Sequence, residues 1–302
     1  MTPFLVVLGL AVAISAAARS TWSPCGLSML SSLTPLAERG RGHRYRTTAA
    51  WFIVGGLIGG CALGATAALF ALAVRAIGPS HNVVLGVAAL ASLIAFASDL
   101  ELFGFRLPIH HRQVNERWLD QFRGWVYGIG FGFQIGMGLA TYIMTAALYL
   151  LIVVGSLSQS VVVALTLGAA FGLVRGLAVL LGRTINSPET LRSFHRRFSA
   201  AGPRVRLVTI AVEGGCAVAC VLALGAPTLL ALAIGSVISL LVYLTGAGGR
   251  LRTTPSSEEA PLPTARPAPG AIEPPAVGQQ VGPAAAATRA RERIRNRTLS
   301  AR

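Results

Sequence analysis

Lysine is absent from this chain: all 26 strongly basic residues are arginine, against 11 acidic ones, for a formal charge of +15. A surplus of that size suggests nucleic acid as a partner, but its placement excludes one. The arginines cluster in short segments between apolar runs and in the last stretch of the chain, the pattern of a membrane protein's cytoplasmic loops. Charged residues are scarce overall, at 12%, while 53% of the chain is hydrophobic. Several apolar runs reach the ~20 residues needed to cross a bilayer, which excludes an ordinary soluble domain. Cysteine is sparse too. Cys25, Cys61, Cys216 and Cys220 all lie in apolar runs, with no CxxC and no Cys/His ligand spacing, so neither a zinc site nor an extracellular disulfide framework is implied. No phosphate-binding loop and no serine-hydrolase elbow occurs, and no cofactor is implied. No positive charge precedes the first apolar run, so that run is expected to stay as an uncleaved span despite Ala16-Ala17-Ala18.

The most informative stretch is Trp22-Ser23-Pro24-Cys25-Gly26-Leu27-Ser28-Met29-Leu30, inside an apolar run from Pro3 to about Leu36. Pro24 lacks a backbone donor and clashes with the preceding turn, so a helix cannot pass through it unbroken. Broken helices at membrane depth occur where they are buried in protein or line a cavity, and many transporter sites lie there. The alternative is a packing kink with an inert thiol.

The expected fold is an all-α polytopic membrane protein of about seven transmembrane helices, at about 3–36, 48–74, 82–98, 124–154, 160–182, 207–224 and 228–246. Residues 1–249 then form the membrane domain, and 250–302 a disordered, Pro/Ala-rich, Arg-ended cytoplasmic tail. The tail's basic end suits contact with anionic lipid. Val114, Trp118 and Phe122 share one face of the loop before span 4, which reads as an interfacial amphipathic helix. Glycines at four-residue steps in spans 2 and 5 allow close helix approach. Loops after spans 1, 3 and 5 are rich in arginine and those after spans 2, 4 and 6 are not, which places the N-terminus outside and the tail in the cytoplasm of a plasma-membrane protein. Three spans per half make the second half inverted, an inverted 3+3 repeat plus one extra helix.

The broken first helix at Ser23-Pro24-Cys25, the basic loop after it and the Gly-rich Gly128-Ile129-Gly130-Phe131-Gly132 resemble the transmembrane domain of the cytochrome c biogenesis protein CcdA and of DsbD. The resemblance covers about residues 1–224. It implies a reducing-equivalent relay by paired cysteines in the first and fourth helices, with a thioredoxin-like partner. Cys25 matches the first cysteine, but Met137 and Gly138 stand where the second Pro-Cys pair belongs, and Thr141 where a further proline is expected. Thiol exchange needs a second sulfur, so the pair is incomplete.

Three functions stay open: a carrier or exporter-like protein with its site at the broken helix, a thiol–disulfide relay through Cys25, or a non-transporting membrane assembly partner. The residues expected along a substrate or ion path are Arg19, Pro24, Cys25, Gly26, Gly136, Gly138, Arg175 and Glu213. Arg175 and Glu213 sit at matching depth, roughly 10 Å from the inner face at 1.5 Å per residue, and are expected to pair, with Arg19 as a second candidate for Glu213.

Overall fold

The computed structural model describes residues 2–108 and 122–225, and every regular element among them is helical. Helix α1 (Thr2–Thr21) stops where Pro24 forbids its continuation. Pro24 instead opens α2 (Pro24–Ser32), in the first turn, where its missing N–H has no partner to lose. Ser23 caps that helix, its side chain accepting from Gly26 N at 3.1 Å. A short α3 (Pro35–Gly40) starts the same way on Thr34. Two long helices follow, α4 (Tyr45–Ile77) and α5 (His81–Leu100), joined through Gly78 at φ 63°. The second half runs α6 (Gly124–Met137), α7 (Ala147–Leu157), α8 (Val161–Leu177) with a 3-10 extension to Thr184, and α9 (Pro188–Ala223).

Five helices among the described residues are long and apolar enough to cross a membrane, and α7 is a shorter apolar one. These helices are consistent with a membrane protein in contact with lipid. The expected fourth span, 124–154, is not one helix. Gly138 takes φ 69° and ends α6, and regular structure resumes only at Ala147. The expected loop 183–206 and the sixth span are instead one helix from Pro188 onward. Ser187 and Thr190 form a reciprocal capping box there, with Pro188 in the first turn and Glu189 beside the positive end of the helix dipole. The expected seventh span, the tail and the amphipathic stretch 109–121 lie outside the described residues.

Helix α4 is the axis of the bundle, flanked on one side by α6 and on another by α8. Lipid tails are as apolar as leucine side chains, so helices in a bilayer gain little from hiding apolar surface. Close backbone packing decides instead. A Cβ on Gly60 would lie 2.3 Å from the Gly168 carbonyl oxygen, and one on Gly59 would lie 2.2 Å from that of Phe133. The helices approach to backbone contact on both sides of α4, and the four-residue glycine spacing makes this possible. Val12, Ala13 and Ala16 of α1 pack with Leu148 and Leu151 of α7 and Phe171 of α8 in the main core. A second cluster joins Met29 and Leu30 of α2 to Phe52, Phe131 and Val179.

The first arginine-rich loop is pinned from within. Glu38 is fully buried and accepts from Thr48 Oγ1 at 2.6 Å, from the Tyr127 hydroxyl at 2.7 Å and from Arg41 at 3.1 Å. A buried carboxylate so completely hydrogen-bonded fixes α3 against the starts of α4 and α6.

Candidate functional site

The break after α1 is filled by protein. Ser20 O accepts from Ser23 N at 3.2 Å and from Arg175 Nη2 at 3.1 Å. Arg175 of α8 is 1% exposed and lies over the Phe171 ring, with 5.8 Å from guanidinium carbon to ring centroid. A cation at the carbonyl end of a helix opposes the negative end of its dipole, so Arg175 stabilises the broken end of α1. Trp22 locks the other side: its indole donates to Phe198 O at 2.7 Å and stacks on the Phe198 ring at 4.3 Å. Gly26 admits no side chain, because a Cβ there would sit 2.1 Å from Thr21 O. Cys25 is buried beside this junction, and Gly138 faces Phe171 across the break between α6 and α7. Gly136 is drawn into the backbone contact with α4, its Cβ position 2.1 Å from Gly56 O.

Arg175 and Glu213 are not ion-paired. Both Glu213 oxygens are buried with no hydrogen-bond partner among the described residues, as is Arg175 Nε. The packing of the helices points Arg175 at the α1 carbonyls instead.

A second junction carries more chemistry. A cavity of about 180 Å³ opens where Arg19 at the end of α1, Asp99 at the end of α5, Thr145 before α7 and Arg206 on α9 converge. Asp99 accepts from the Thr145 hydroxyl through one oxygen and from Ala146 N, at 2.7 Å, through the other. It thereby caps α7, whose own N-cap position, Ala146, offers no side-chain acceptor. Arg206 donates to Asp99 O at 2.8 Å and to Glu101 Oε1 at 2.9 Å, and Arg106 pairs with the other Glu101 oxygen. Burial opposes ionisation of Glu101, but the hydrogen bond and charge of Arg106 and the charge of Arg206 outweigh it and hold the carboxyl below the usual glutamate range. Arg19 is the exception. Its guanidinium lines the cavity near Arg206 and Asp99 and makes no hydrogen bond or ion pair among the described residues.

Of the residues singled out from sequence, only Arg19 lines this cavity. Asp99, Glu101, Arg106, Thr145 and Arg206 were missed. No group of three or more His, Cys, Asp or Glu residues that could hold a metal occurs among the described residues.

Fold and site together define a class: an all-helical bundle with five helices long and apolar enough to cross a membrane and a charged cavity where the ends of α1 and α5, the start of α7 and the side of α9 converge. Comparison with known proteins narrows it. The chain is 34% identical over 179 residues to the methylamine utilization protein MauF of Paracoccus versutus, a match covering 58% of this chain and 64% of that protein. It is 34% identical over 191 residues to MauF of Methylophilus methylotrophus, covering 62% and 66%. For MauF of Methylorubrum extorquens the identity is 30% over 184 residues, covering 59% and 63%. The chain thus spans just under two thirds of the length of the curated relatives it matches. No family model and no solved structure matches it.

These relatives overturn the resemblance to the CcdA and DsbD membrane domains. The carrier and thiol-relay readings fall with it, as do roles in transport and cytochrome c biogenesis. The physical reason is visible in the motifs that suggested them. A proline-broken helix and glycine-rich helices are general solutions to packing in a bilayer and carry no chemistry of their own.

Proposed function

We propose that this chain is a membrane-embedded accessory protein of methylamine utilization, one that helps assemble or mature the machinery consuming the amine. The observation that carries the reading is the 30–34% identity, over 179–191 residues, to methylamine utilization proteins of three bacteria. The geometry supports an accessory role. Apart from Arg19, the charged groups of the cavity are engaged in capping and ion pairing, an arrangement suited to holding elements together and to binding. The break at Pro24 is closed by Arg175, Trp22 and Phe198, so its part in this reading is structural. We place the chain in the cytoplasmic membrane as a multi-pass protein with its arginine-rich loops inside. We read the order of broken span, glycine-bearing helix and third helix, which occurs twice, as an inverted repeat packed across α4 and α8.

The test is complementation. A Paracoccus versutus strain deleted for its own MauF is expected to grow poorly on methylamine and normally on succinate. This chain, expressed from a plasmid and present in the membrane fraction, should restore growth on methylamine alone. Absence of any restoration, with the protein present in the membrane and a plasmid-borne native MauF active, overturns the assignment.

A further inference from the structure

The charged cavity does not end at its polar walls. Leu107, Pro108, Ala146 and Tyr149 line it and also line a second cavity of about 300 Å³. The second cavity is apolar and runs between α5 and α7, bounded by Ala91, Ile94 and Ala95 on one helix and by Leu150 and Val153 on the other. From Asp99 back to Ala91 is about 12 Å along α5, at 1.5 Å rise per residue. Ile94 is 40% exposed, so this groove opens on the outer face of the bundle. The polar part lies where the apolar run of α5 ends at Ser98 and Asp99, the level at which a span leaves the hydrocarbon.

The charges do not balance at the polar end. Among the described lining residues, Arg19, Arg106 and Arg206 face Asp99 and Glu101, an excess of one positive charge. Arg106 and Arg206 are both tied to Glu101, which leaves the Arg19 guanidinium without a hydrogen-bond or ion-pair partner among the described residues. A half-buried cation with no partner at the edge of an apolar environment is costly unless an anion joins it. About 180 Å³ suits a single phosphate group with part of its glycerol, and the contiguous groove suits one acyl chain. Basic pockets between membrane helices are known to take anionic lipid headgroups.

We propose that this continuous surface binds one anionic phospholipid from the bilayer, its phosphate on Arg19 and one acyl chain in the groove between α5 and α7. The proposal rests on the reading of the chain as a bilayer protein and is independent of methylamine.

The experiment uses the full chain purified in detergent, titrated with short-chain phosphatidylglycerol, short-chain phosphatidylcholine, or inorganic phosphate, with binding read by native mass spectrometry and by thermal shift. Phosphatidylglycerol should bind as one adduct and raise the melting temperature, phosphatidylcholine should bind roughly tenfold more weakly for want of an unpaired negative charge, and inorganic phosphate should neither bind nor compete at equal concentration. Arg19→Gln should weaken phosphatidylglycerol binding roughly tenfold and leave phosphatidylcholine unchanged. Ala91→Leu, which narrows the groove, should weaken both lipids. Equal binding of the two lipids overturns the proposal, as does full binding to Arg19→Gln. Equal protection by inorganic phosphate would show an anion site without a lipid role and overturn it too. If Arg19→Gln does not fold, the comparison of lipids on the wild-type protein still decides. Growth on methylamine enters none of these readouts, so this idea and the proposed function fail separately.

Discussion

Asp99 shows how much one side chain can hold at a helix break. The break before α7 leaves the first amides of that helix without intrahelical partners. Asp99 supplies one acceptor to Ala146 N and fixes Thr145, whose hydroxyl oxygen in turn accepts from Ala147 N at 3.2 Å. A negative group also suits the positive end of α7's dipole. Removing it should leave a buried amide and hydroxyl unsatisfied, a loss of about 1–3 kcal/mol. Asp99→Ala is therefore expected to lower the folded fraction in detergent clearly, and Thr145→Val by less. The double variant should lose less than the sum, because the two side chains act as one unit. Strictly additive losses, measured by thermal unfolding followed on a sizing column, would mean the cap is not shared. The sequence hides this pair. Asp99 reads as the polar end of an apolar run, and Thr145 is 46 residues away in a segment that looks helical. The expected Arg175–Glu213 pair failed for a related reason. Depth along a helix follows from counting residues, but the rotation that aims a side chain at one neighbour depends on packing that no local pattern records.

At the scale of elements, the glycine spacing was the most legible feature. Gly56, Gly60 and Gly64 on α4 meet Gly168 and Gly172 on α8 through backbone atoms, as four-residue steps of small residues permit. What the spacing could not say is which helices would pair, since α4 carries glycines on two faces and uses both. The sharpest check compares two glycines of different surroundings. A Cβ on Gly60 would lie 2.3 Å from the Gly168 carbonyl oxygen, a rigid backbone atom, while one on Gly86 meets nothing within 4 Å. Gly60→Ala should then push α4 and α8 apart at a cost of about 1–3 kcal/mol or more. Gly86→Ala should be neutral or stabilise α5 by up to about 1 kcal/mol, the difference in helix propensity. Melting temperatures of the two variants in the same detergent decide it, and equal values would remove the close approach. Two elements were misread for identifiable reasons. The start of α9 carries Ser187-Pro188-Glu189-Thr190, a complete set of helix-start signals, but its arginines suggested a loop. The end of α6 has no proline at all, only Gly138, whose left-handed turn gives little sign of itself among so many glycines.

For the molecule as a whole, an arrangement in the membrane is predicted from where arginine sits relative to the helix ends. Arg39, Arg41, Arg44 and Arg46 surround the turn from α3 into α4, and Arg183, Arg192, Arg196 and Arg197 surround the start of α9. The links at the opposite ends, Gly78–Ser80 between α4 and α5 and Ser158–Ser160 between α7 and α8, carry no charge. If arginine is retained on the cytoplasmic side, as is general for membrane proteins, the α3–α4 turn is expected inside and both uncharged links outside. Helix α9 is 36 residues, about 54 Å at 1.5 Å per residue, well beyond a ~30 Å hydrocarbon core. Its arginine-rich first half is therefore expected to stand clear of the hydrocarbon on the same side as the α3–α4 turn. The prediction is tested with single cysteines in a background where Cys25, Cys61, Cys216 and Cys220 are replaced. Arg44→Cys and Arg196→Cys, both at exposed positions, should resist an impermeant maleimide in intact cells and react once the membrane is opened. Ser80→Cys is exposed and should react in intact cells, and Ser158→Cys should follow it more slowly because it is only half-exposed. Modification of position 44 from outside, with position 80 protected, would invert the molecule. The lipid-binding cavity beside Asp99 would then face the outer leaflet, where anionic headgroups are scarcer and the unpaired Arg19 would have less to bind.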